Sequence, residues 1–279
     1  MSYKVIVDSC GELTEEMKQS GNFETASLTL LVEGHSIIDD ETFNQADFIK
    51  RVAESPECPK SSCPSPERYM QGYRCEAERV YAVTLSGELS GSYNSAVLGK
   101  NLYEEEYGKK DIYVFNSRTA SVGETLIGMK IVACEEAGMT FQEVVDTVEK
   151  YIADQKTYFV LESLDTLRKN GRLTGLKALV ASALNIKPVM GSTEKGTICQ
   201  LGQARGVKKA LTKMVDSAIA ELVNPGEKYL GIAQCNCPER AQLVKQMVEE
   251  KTEVKGVVIV ETRGVSTMYA NDGGIILII

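Results

Sequence analysis

The chain has very few of the side chains that enzymes use for proton transfer near neutral pH. Its 279 residues include one histidine, His35, which follows a glycine after an apolar run and is interpreted as an exposed turn residue. The turn around Ser90 has the order Gly-Glu-Leu-Ser-Gly, which differs from the G-x-S-x-G motif of hydrolases. A nucleophilic serine needs a neighbouring general base. The sequence therefore predicts no catalytic residue.

Motifs for nucleotides, metals and membranes are also missing. No G-x-x-x-x-G-K-[ST] sequence is present, so ATP binding of the P-loop type is not expected. The eight cysteines are irregularly spaced without a C-x-x-C pair, which predicts reduced thiols, no metal site and no cofactor. No apolar run reaches the roughly 18 residues of a transmembrane helix, and no signal-peptide pattern opens the chain. These features predict a cytoplasmic protein without a transmembrane segment.

The charge balance is acidic. The chain carries 31 Lys and Arg against 39 Asp and Glu, a net charge of -8, which does not favour nucleic acid as a partner. Two local basic clusters interrupt this balance, at Arg168, Lys169 and Arg172, and at Arg205, Lys208 and Lys209. Such clusters are most often solvated faces, and docking of an acidic partner or handling of a phosphate is the alternative.

The first half of the chain alternates short apolar strands with amphipathic helices. That alternation is typical of a parallel sheet with helices on both faces, so we predict a three-layer α/β/α domain over residues 1–155. The predicted strands cover 4–8, 27–32, 79–85 and 111–115, and the predicted helices begin at 14 or cover 44–53, 65–76, 123–137 and 140–154.

From about residue 156 the pattern changes, because a hairpin signal now mixes with helices. Residues 194–196 are a predicted hairpin turn between strands 187–190 and 197–201. The other predicted strands are 157–162, 229–233, 257–261 and 274–279, and the predicted helices are 164–169, 206–222 and 239–250. We therefore predict an α+β domain over 156–279.

Two hydroxyl-rich turns precede helices in the first half. Ser90 and Gly91 follow the predicted strand 79–85. Ser61 and Ser62 precede a helix and are followed by Pro64 and Pro66, which restrict the backbone. The unpaired N–H groups of a first helical turn favour an anion, and open α/β sheets bind ligands at the strand ends. Helix capping and turn formation explain each segment as well, so both interpretations stay open.

Three acidic residues are further candidates. Asp8 ends the first predicted strand, where its carboxylate either orders the hydroxyl groups or serves as a simple turn residue. Glu12 and Glu88 form an acid–base pair only if the fold brings them together, and no sequence feature indicates that.

Six separated segments, taken in order, resemble the DegV family, the fatty-acid-binding subunits of bacterial fatty acid kinase. The resemblance spans nearly the whole chain and implies two α/β domains with a fatty acid buried between them. Each segment alone is weakly specific, and the resemblance depends on their occurring in this order. The six segments are 7–13, 60–66, 89–96, 167–173, 186–188 and 203–206.

The resemblance also implies roles for individual residues. Ser61 and Ser90 match the residues that hold the fatty-acid carboxylate in the family, with Ser62 and Gly91 alongside. The family usually has a histidine near the carboxylate in a His-x-Gly-Pro-Gly segment, and Tyr269 stands in its place here. A tyrosine hydroxyl still donates a hydrogen bond but brings no charge near neutral pH.

Arg172 and Arg205 match arginines of the family's motifs, and we interpret both as residues that serve the partner kinase instead of fatty-acid affinity. The favoured function is a non-catalytic carrier that presents a long-chain fatty acid to a separate kinase subunit for acyl-phosphate formation. The alternative is an enzyme or carrier for another small acid or ketone, related to the substrate domains of dihydroxyacetone kinase.

Overall fold

A computed structural model describes residues 2–173 and 185–279 of the chain. In these residues the strands are β1 (Tyr3–Asp8), β2 (Phe23–Ala26), β3 (Thr29–Val32), β4 (His35–Ile38), β5 (Lys60–Ser62), β6 (Arg79–Thr84), β7 (Asp111–Asn116), β8 (Thr157–Val160), β9 (Ile186–Ser192), β10 (Ile198–Arg205), β11 (Tyr229–Gln234), β12 (Gly256–Glu261) and β13 (Ile275–Ile278). The α-helices are α1 (Glu15–Gln19), α2 (Gln45–Glu54), α3 (Pro66–Tyr73), α4 (Ser92–Tyr107), α5 (Val122–Glu136), α6 (Phe141–Asp154), α7 (Asp165–Lys169), α8 (Val207–Glu221), α9 (Pro238–Glu249) and α10 (Gly264–Ala270).

The first half contains the predicted parallel sheet. Its strand order is β2-β1-β6-β7, and every pair in it is parallel. The six residues of β6 are all buried, as expected for a strand covered on both faces. Tyr69 and Tyr73 of α3 pack with α4 on one face, whereas Ile127 of α5 and Val144 of α6 pack on the other. The three-layer α/β/α prediction is confirmed.

The second half forms a mixed sheet of six strands, ordered β10-β9-β8-β13-β11-β12. Within this sheet, β11 and β12 are the one parallel pair among the described strands, and the predicted hairpin is present as β9 and β10. Helices α8 and α9 cover one face of this sheet through a core that includes Leu211, Val215 and Val244. The α+β prediction for this half agrees with the observed architecture.

Helix α5 lies between the two sheets. Ile127 and Ile131 face the core of the first sheet, and Val122 and Leu126 pack with Ala233 and its neighbours in the second sheet. Because both sides are enclosed, nine of its fifteen residues are buried and its apolar residues form no single stripe. This helix therefore joins the two halves. The domain boundary between residues 155 and 156 stays a prediction.

A third, small antiparallel sheet, ordered β4-β3-β5, was not predicted. Ser61 lies on β5 opposite Leu30 of β3, so the segment interpreted as a loop is a short strand. His35 begins β4 and is exposed, which corrects its assignment to a turn. Helix α10, which carries Tyr269, was missed as well. Among the described helices, none combines the length and apolar character needed to cross a membrane.

Candidate functional site

One cavity lies between the strand ends of the first half and the face of the six-stranded sheet. Its empty volume is about 870 Å³, part of which is open to solvent. Apolar side chains dominate its wall, which includes Leu28, Leu85, Leu89, Phe159, Leu161, Leu167, Ile198, Val265 and Ile276. A cavity of this kind suits a largely hydrocarbon ligand.

The cavity extends along β8 and Leu161, the residue that follows this strand. Thr157, Phe159 and Leu161 all line it, since residues two apart on a strand point to the same face. Four residues of strand rise span roughly 13 Å, so the cavity is elongated. Leu161 packs near Tyr269, and Thr157 marks the opposite end. The two ends differ in chemistry.

At the first end, β5 and α10 bring two hydroxyl groups together. The Oγ of Ser61 and the phenol oxygen of Tyr269 are 3.4 Å apart, and both residues line the cavity. Burial raises the pKa of the Tyr269 phenol, so this hydroxyl keeps its proton at neutral pH and can donate. Ser61 and Tyr269 are 208 positions apart in sequence, and the fold alone places them side by side.

Ser90 lines the same end from the turn between β6 and α4. The backbone N–H groups of Leu89 and Ser90 both donate to the carbonyl oxygen of Ser86, at 2.9 and 3.1 Å, which closes the turn. Ser90 Oγ accepts from the Ser92 backbone N–H at 3.2 Å. Helix α4 has sixteen residues, and its N-cap residue, Gly91, makes no side-chain capping bond. The positive end of its dipole therefore favours negative charge near Ser90.

Arg172 adds a positive charge at this end. It lines the cavity, with its Nε donating to the Leu89 carbonyl oxygen at 3.1 Å and its Nη1 donating to the Asn170 carbonyl oxygen at 2.6 Å. Its guanidinium carbon is 5.7 Å from the centre of the Tyr269 ring. We name Ser61, Ser90, Arg172 and Tyr269 the hydroxyl end of the cavity.

Three other residues predicted for the site lie outside the cavity wall. Ser62 follows Ser61 on β5, but its side chain is exposed, as is Gly91 at the start of α4. Arg205 is exposed at the end of β10. The structure thus separates the two arginines that the sequence analysis grouped, since Arg172 lines the cavity and Arg205 does not. The roles of all these residues stay predictions.

At the opposite end, polar side chains bind one another. The hydroxyl groups of Thr119 and Thr157 are 2.7 Å apart, and Ser86 Oγ donates to the Gly196 carbonyl oxygen at 2.9 Å. The second bond ties the Ser90 turn to the β9–β10 hairpin. Because these hydroxyl groups have partners within the protein, they are less available to a ligand than those of the hydroxyl end.

A layer of buried acids lies beneath the hydroxyl end. Asp8 accepts hydrogen bonds from the Leu85 N–H at 2.9 Å, the Cys10 N–H at 3.1 Å and the Ser92 hydroxyl at 2.6 Å. Leu85 and Ser92 flank the Ser90 turn, so Asp8 fixes both of its ends. Both interpretations left open for Asp8 are therefore observed, since its side chain holds the Ser90 turn and also accepts from the Cys10 N–H of its own turn. Burial raises the pKa of Asp8 to about 6, against the effect of these hydrogen bonds.

Glu12 and Glu124 complete this layer, which we name the acid layer: Asp8, Glu12 and Glu124. Glu12 accepts from the Ser121 hydroxyl at 2.8 Å, and burial raises its pKa to about 7. Glu88 is exposed in the Ser90 turn, so it forms no acid–base pair with Glu12. Glu124, on α5, was not singled out from the sequence, because a lone glutamate in a helical pattern reads as a surface residue.

The comparisons with known proteins point in one direction. The matching family model is DegV, described as "Uncharacterised protein, DegV family", and it covers residues 2–278. A DegV domain-containing protein of Streptococcus pneumoniae is 33% identical over 283 residues, covering 99% of this chain and 98% of that protein.

Two solved structures are similar over the full length. The crystal structure of a DegV family protein from Ruminococcus gnavus, refined with vaccenic acid, is 63% identical, with a TM-score of 0.98 over 100% of both chains. The Streptococcus pneumoniae fatty acid kinase B3 protein, loaded with linoleic acid, is 31% identical, with a TM-score of 0.87 over 100% of this chain and 99% of that one. On the family model and these relatives, the chain belongs to the DegV family.

Proposed function

We propose that this protein binds a long-chain fatty acid in the elongated cavity, with the carboxylate at the hydroxyl end and the hydrocarbon chain along β8. The observation that carries the proposal is the asymmetry of the cavity. One end combines hydroxyl donors, a helix N-terminus and Arg172, and most of the other wall residues are apolar. The fatty acids in the Ruminococcus gnavus and Streptococcus pneumoniae structures support this assignment.

Ser61, Ser90 and Tyr269 would donate hydrogen bonds to the carboxylate, and Arg172 would balance its charge. Ser62 and Gly91 stand beside these residues along the chain, and their exposure favours a supporting position over direct contact. The proton of the Ser90 hydroxyl is not used in any hydrogen bond among the described residues, since this oxygen acts only as an acceptor from Ser92.

The same proposal includes presentation of the bound acid to a separate kinase. The similarity to the fatty acid kinase B3 protein supports such a partner. Arg205 lies outside the cavity on an exposed strand end, which suits contact with another protein.

All eight cysteines are free, which fits the reducing cytoplasm as the location of the protein. We propose that the protein itself is not catalytic.

The alternative of a ketone carrier related to dihydroxyacetone kinase needs a histidine at the substrate. The sequence has only His35, which lies exposed on β4 and does not line the cavity. The apolar wall also gives a small polar substrate few partners. Neither observation favours this alternative.

The test compares fatty-acid affinity of the delipidated wild type with Ser61→Ala/Ser90→Ala. Each lost hydrogen bond to a charged acceptor costs about 1.5–3 kcal/mol, or roughly ten- to a hundredfold in affinity. We therefore expect the double variant to bind the fatty acid at least about tenfold more weakly than the wild type. Ser62→Ala is the matched control, because the same side chain is removed one position away on the exposed face of β5. We expect its affinity to stay within about twofold. Equal affinity of the double variant and the wild type would contradict the assignment of the head group.

A further inference from the structure

Glu124 is a fully buried carboxyl group beside which the described residues place only the weak thiol donor of Cys10. Its side chain has 0% exposure, and neither Oε1 nor Oε2 has a hydrogen-bond partner. An ionised carboxylate without a donor or a cation is strongly disfavoured in a protein interior. The negative charge of Glu124 must therefore be removed by a proton or balanced by a cation.

The surroundings of Glu124 are acidic. One of its carboxyl oxygens, one oxygen of Asp8 and the sulfur of Cys10 all lie within 4.8 Å of one another. A side chain at Gly11 would come within 2.8 Å of Glu124 Cβ, so only backbone fits between the glutamate and the end of β1. No ion pair among the described residues includes Asp8, Glu12 or Glu124.

We propose that Glu124 is protonated in the folded protein and shares its proton with Asp8, and that this acid–carboxylate pair positions the Ser90 turn. The proton gives Glu124 a partner and leaves one negative charge where two would repel each other. Asp8 then stays an acceptor for the Leu85 N–H and the Ser92 hydroxyl. Glu124 is thus a positioning residue that acts through Asp8.

The groups that face Glu124 favour the proton over a cation. Burial, together with the charges of Asp8 and Glu12, raises the pKa of Glu124 well above its usual range. Burial likewise raises the pKa of the Cys10 thiol, so without a bound metal this group also keeps its proton. The carboxylate of Asp8 is already held by three donors.

Two further groups border the acid layer without supplying a countercharge to Glu124. The buried phenol of Tyr69 on α3 contacts the Ser92 hydroxyl at 2.7 Å, and burial raises its pKa. Arg263 meets Glu12 only through its backbone N–H, at 3.4 Å, because its guanidinium donates to the Asp40 carbonyl oxygen. Neither side chain replaces the proton.

Infrared spectroscopy at pH 8 tests the proton directly, in protein labelled with carbon-13 at the glutamate carboxyl groups. We expect an isotope-shifted carbonyl band of a protonated glutamic acid in the wild type. The band should vanish in Glu124→Gln and persist in Glu12→Gln, because a group with a pKa of about 7 is mostly ionised at pH 8. Absence of the band from the labelled wild type would overturn the proposal, whether or not the variants fold.

The pH dependence of unfolding gives a second measurement. Near neutral pH the carboxyl group of Glu124 holds its proton in the folded state but is ionised in the unfolded chain, where its pKa is near 4.3. The contribution of Glu124 to stability is therefore fully present at low pH and is lost as the pH rises towards the pKa of this group in the folded protein. For one proton the folding equilibrium constant falls tenfold per pH unit, and Glu124→Gln should remove this contribution between pH 7 and 8.

The effect on the ligand rests on the proposed function and is measured separately, as fatty-acid affinity between pH 7 and 9. We expect affinity to fall with pH in the wild type and to change much less in Glu124→Gln. Identical profiles would overturn the positioning role. No binding at any pH would count against the proposed function, while the infrared band still tests whether Glu124 is protonated.

Metal analysis of the purified wild type tests the alternative of a cation. A stoichiometric divalent metal that is lost in Glu124→Gln would show that a cation balances the charge of the acid layer and would overturn the shared proton.

Discussion

The hydroxyl end of the cavity and the acid layer beneath it are neighbours with opposite uses of polar side chains. At the hydroxyl end, Ser61 and Tyr269 touch only through a long contact of 3.4 Å, and Arg172 supplies a positive charge. In the acid layer, Asp8 is held by three donors, and Glu12 by the Ser121 hydroxyl. One region has donors available for an anionic ligand, whereas in the other Asp8 and Glu12 already accept hydrogen bonds from the protein.

This difference separates binding from folding. Donors that are only weakly paired in the protein can bind a carboxylate at little cost, because few internal hydrogen bonds must break first. An acceptor that is fully paired and buried contributes instead to stability and to the geometry of the turn above it. Substitutions in the acid layer should therefore change unfolding most, and substitutions at the hydroxyl end should change affinity most.

The largest expected effect comes from Asp8→Ala. The substitution leaves the N–H groups of Leu85 and Cys10 and the Ser92 hydroxyl without their acceptor in a buried place. Each buried donor without a partner costs about 1–3 kcal/mol, so we expect the free energy of unfolding to fall by about 3–5 kcal/mol. Chemical denaturation measures this.

Ser61→Ala is the matched control for that experiment, because it also removes a polar group from a strand but lies at the hydroxyl end. We expect it to change the free energy of unfolding by less than about 1 kcal/mol. Similar losses of stability in the two variants would erase the distinction between the regions.

The second prediction separates the two arginines. Arg172→Ala removes the positive charge from the cavity wall, and we expect fatty-acid affinity to fall about tenfold, since a charged hydrogen bond contributes about 1.5–3 kcal/mol. Arg205→Ala should leave affinity within about twofold and should lower phosphorylation of the bound acid by the partner kinase. One preparation of each variant is assayed for both properties.

If affinity is unchanged in both variants, the interpretation from the sequence, that both arginines serve the partner, is the better one. If affinity falls equally in both, Arg205 acts on the cavity from outside its wall, and the separation seen in the structure has no functional meaning. Arg172→Lys keeps the charge without the planar fork and so distinguishes charge from geometry.

The sequence predicted the parts of this fold whose signals are local. The alternation of β6 and the helices around it is visible in the chain, and so are the hairpin of β9 and β10 and the hydroxyl-rich turn at Ser90. These features depend on neighbours in sequence, through side-chain periodicity and turn chemistry.

Features that depend on distant contacts escaped the sequence analysis. β5 is a strand only because Ser61 pairs opposite Leu30 of β3, and Glu124 is buried only because α5 lies between two sheets. The position of Arg172 on the cavity wall follows from its bond to the Leu89 carbonyl oxygen, 83 positions away. A one-dimensional pattern contains no record of such contacts.

The smallest expected effect concerns Tyr269, which the sequence resemblance predicts to replace a histidine of the family. Tyr269→Phe keeps the ring under Arg172 and removes only the hydroxyl, so we expect affinity to fall about two- to tenfold, from about 0.5–1.5 kcal/mol for one hydrogen bond. Tyr269→His should make affinity depend on pH, rising below about 6.5 as the imidazole gains a charge. Titration of fatty-acid affinity from pH 5.5 to 8 compares the three proteins. A profile of Tyr269→His parallel to that of Tyr269→Phe would mean that this position does not meet the carboxylate, and the hydroxyl end would then consist of Ser61, Ser90 and Arg172 alone.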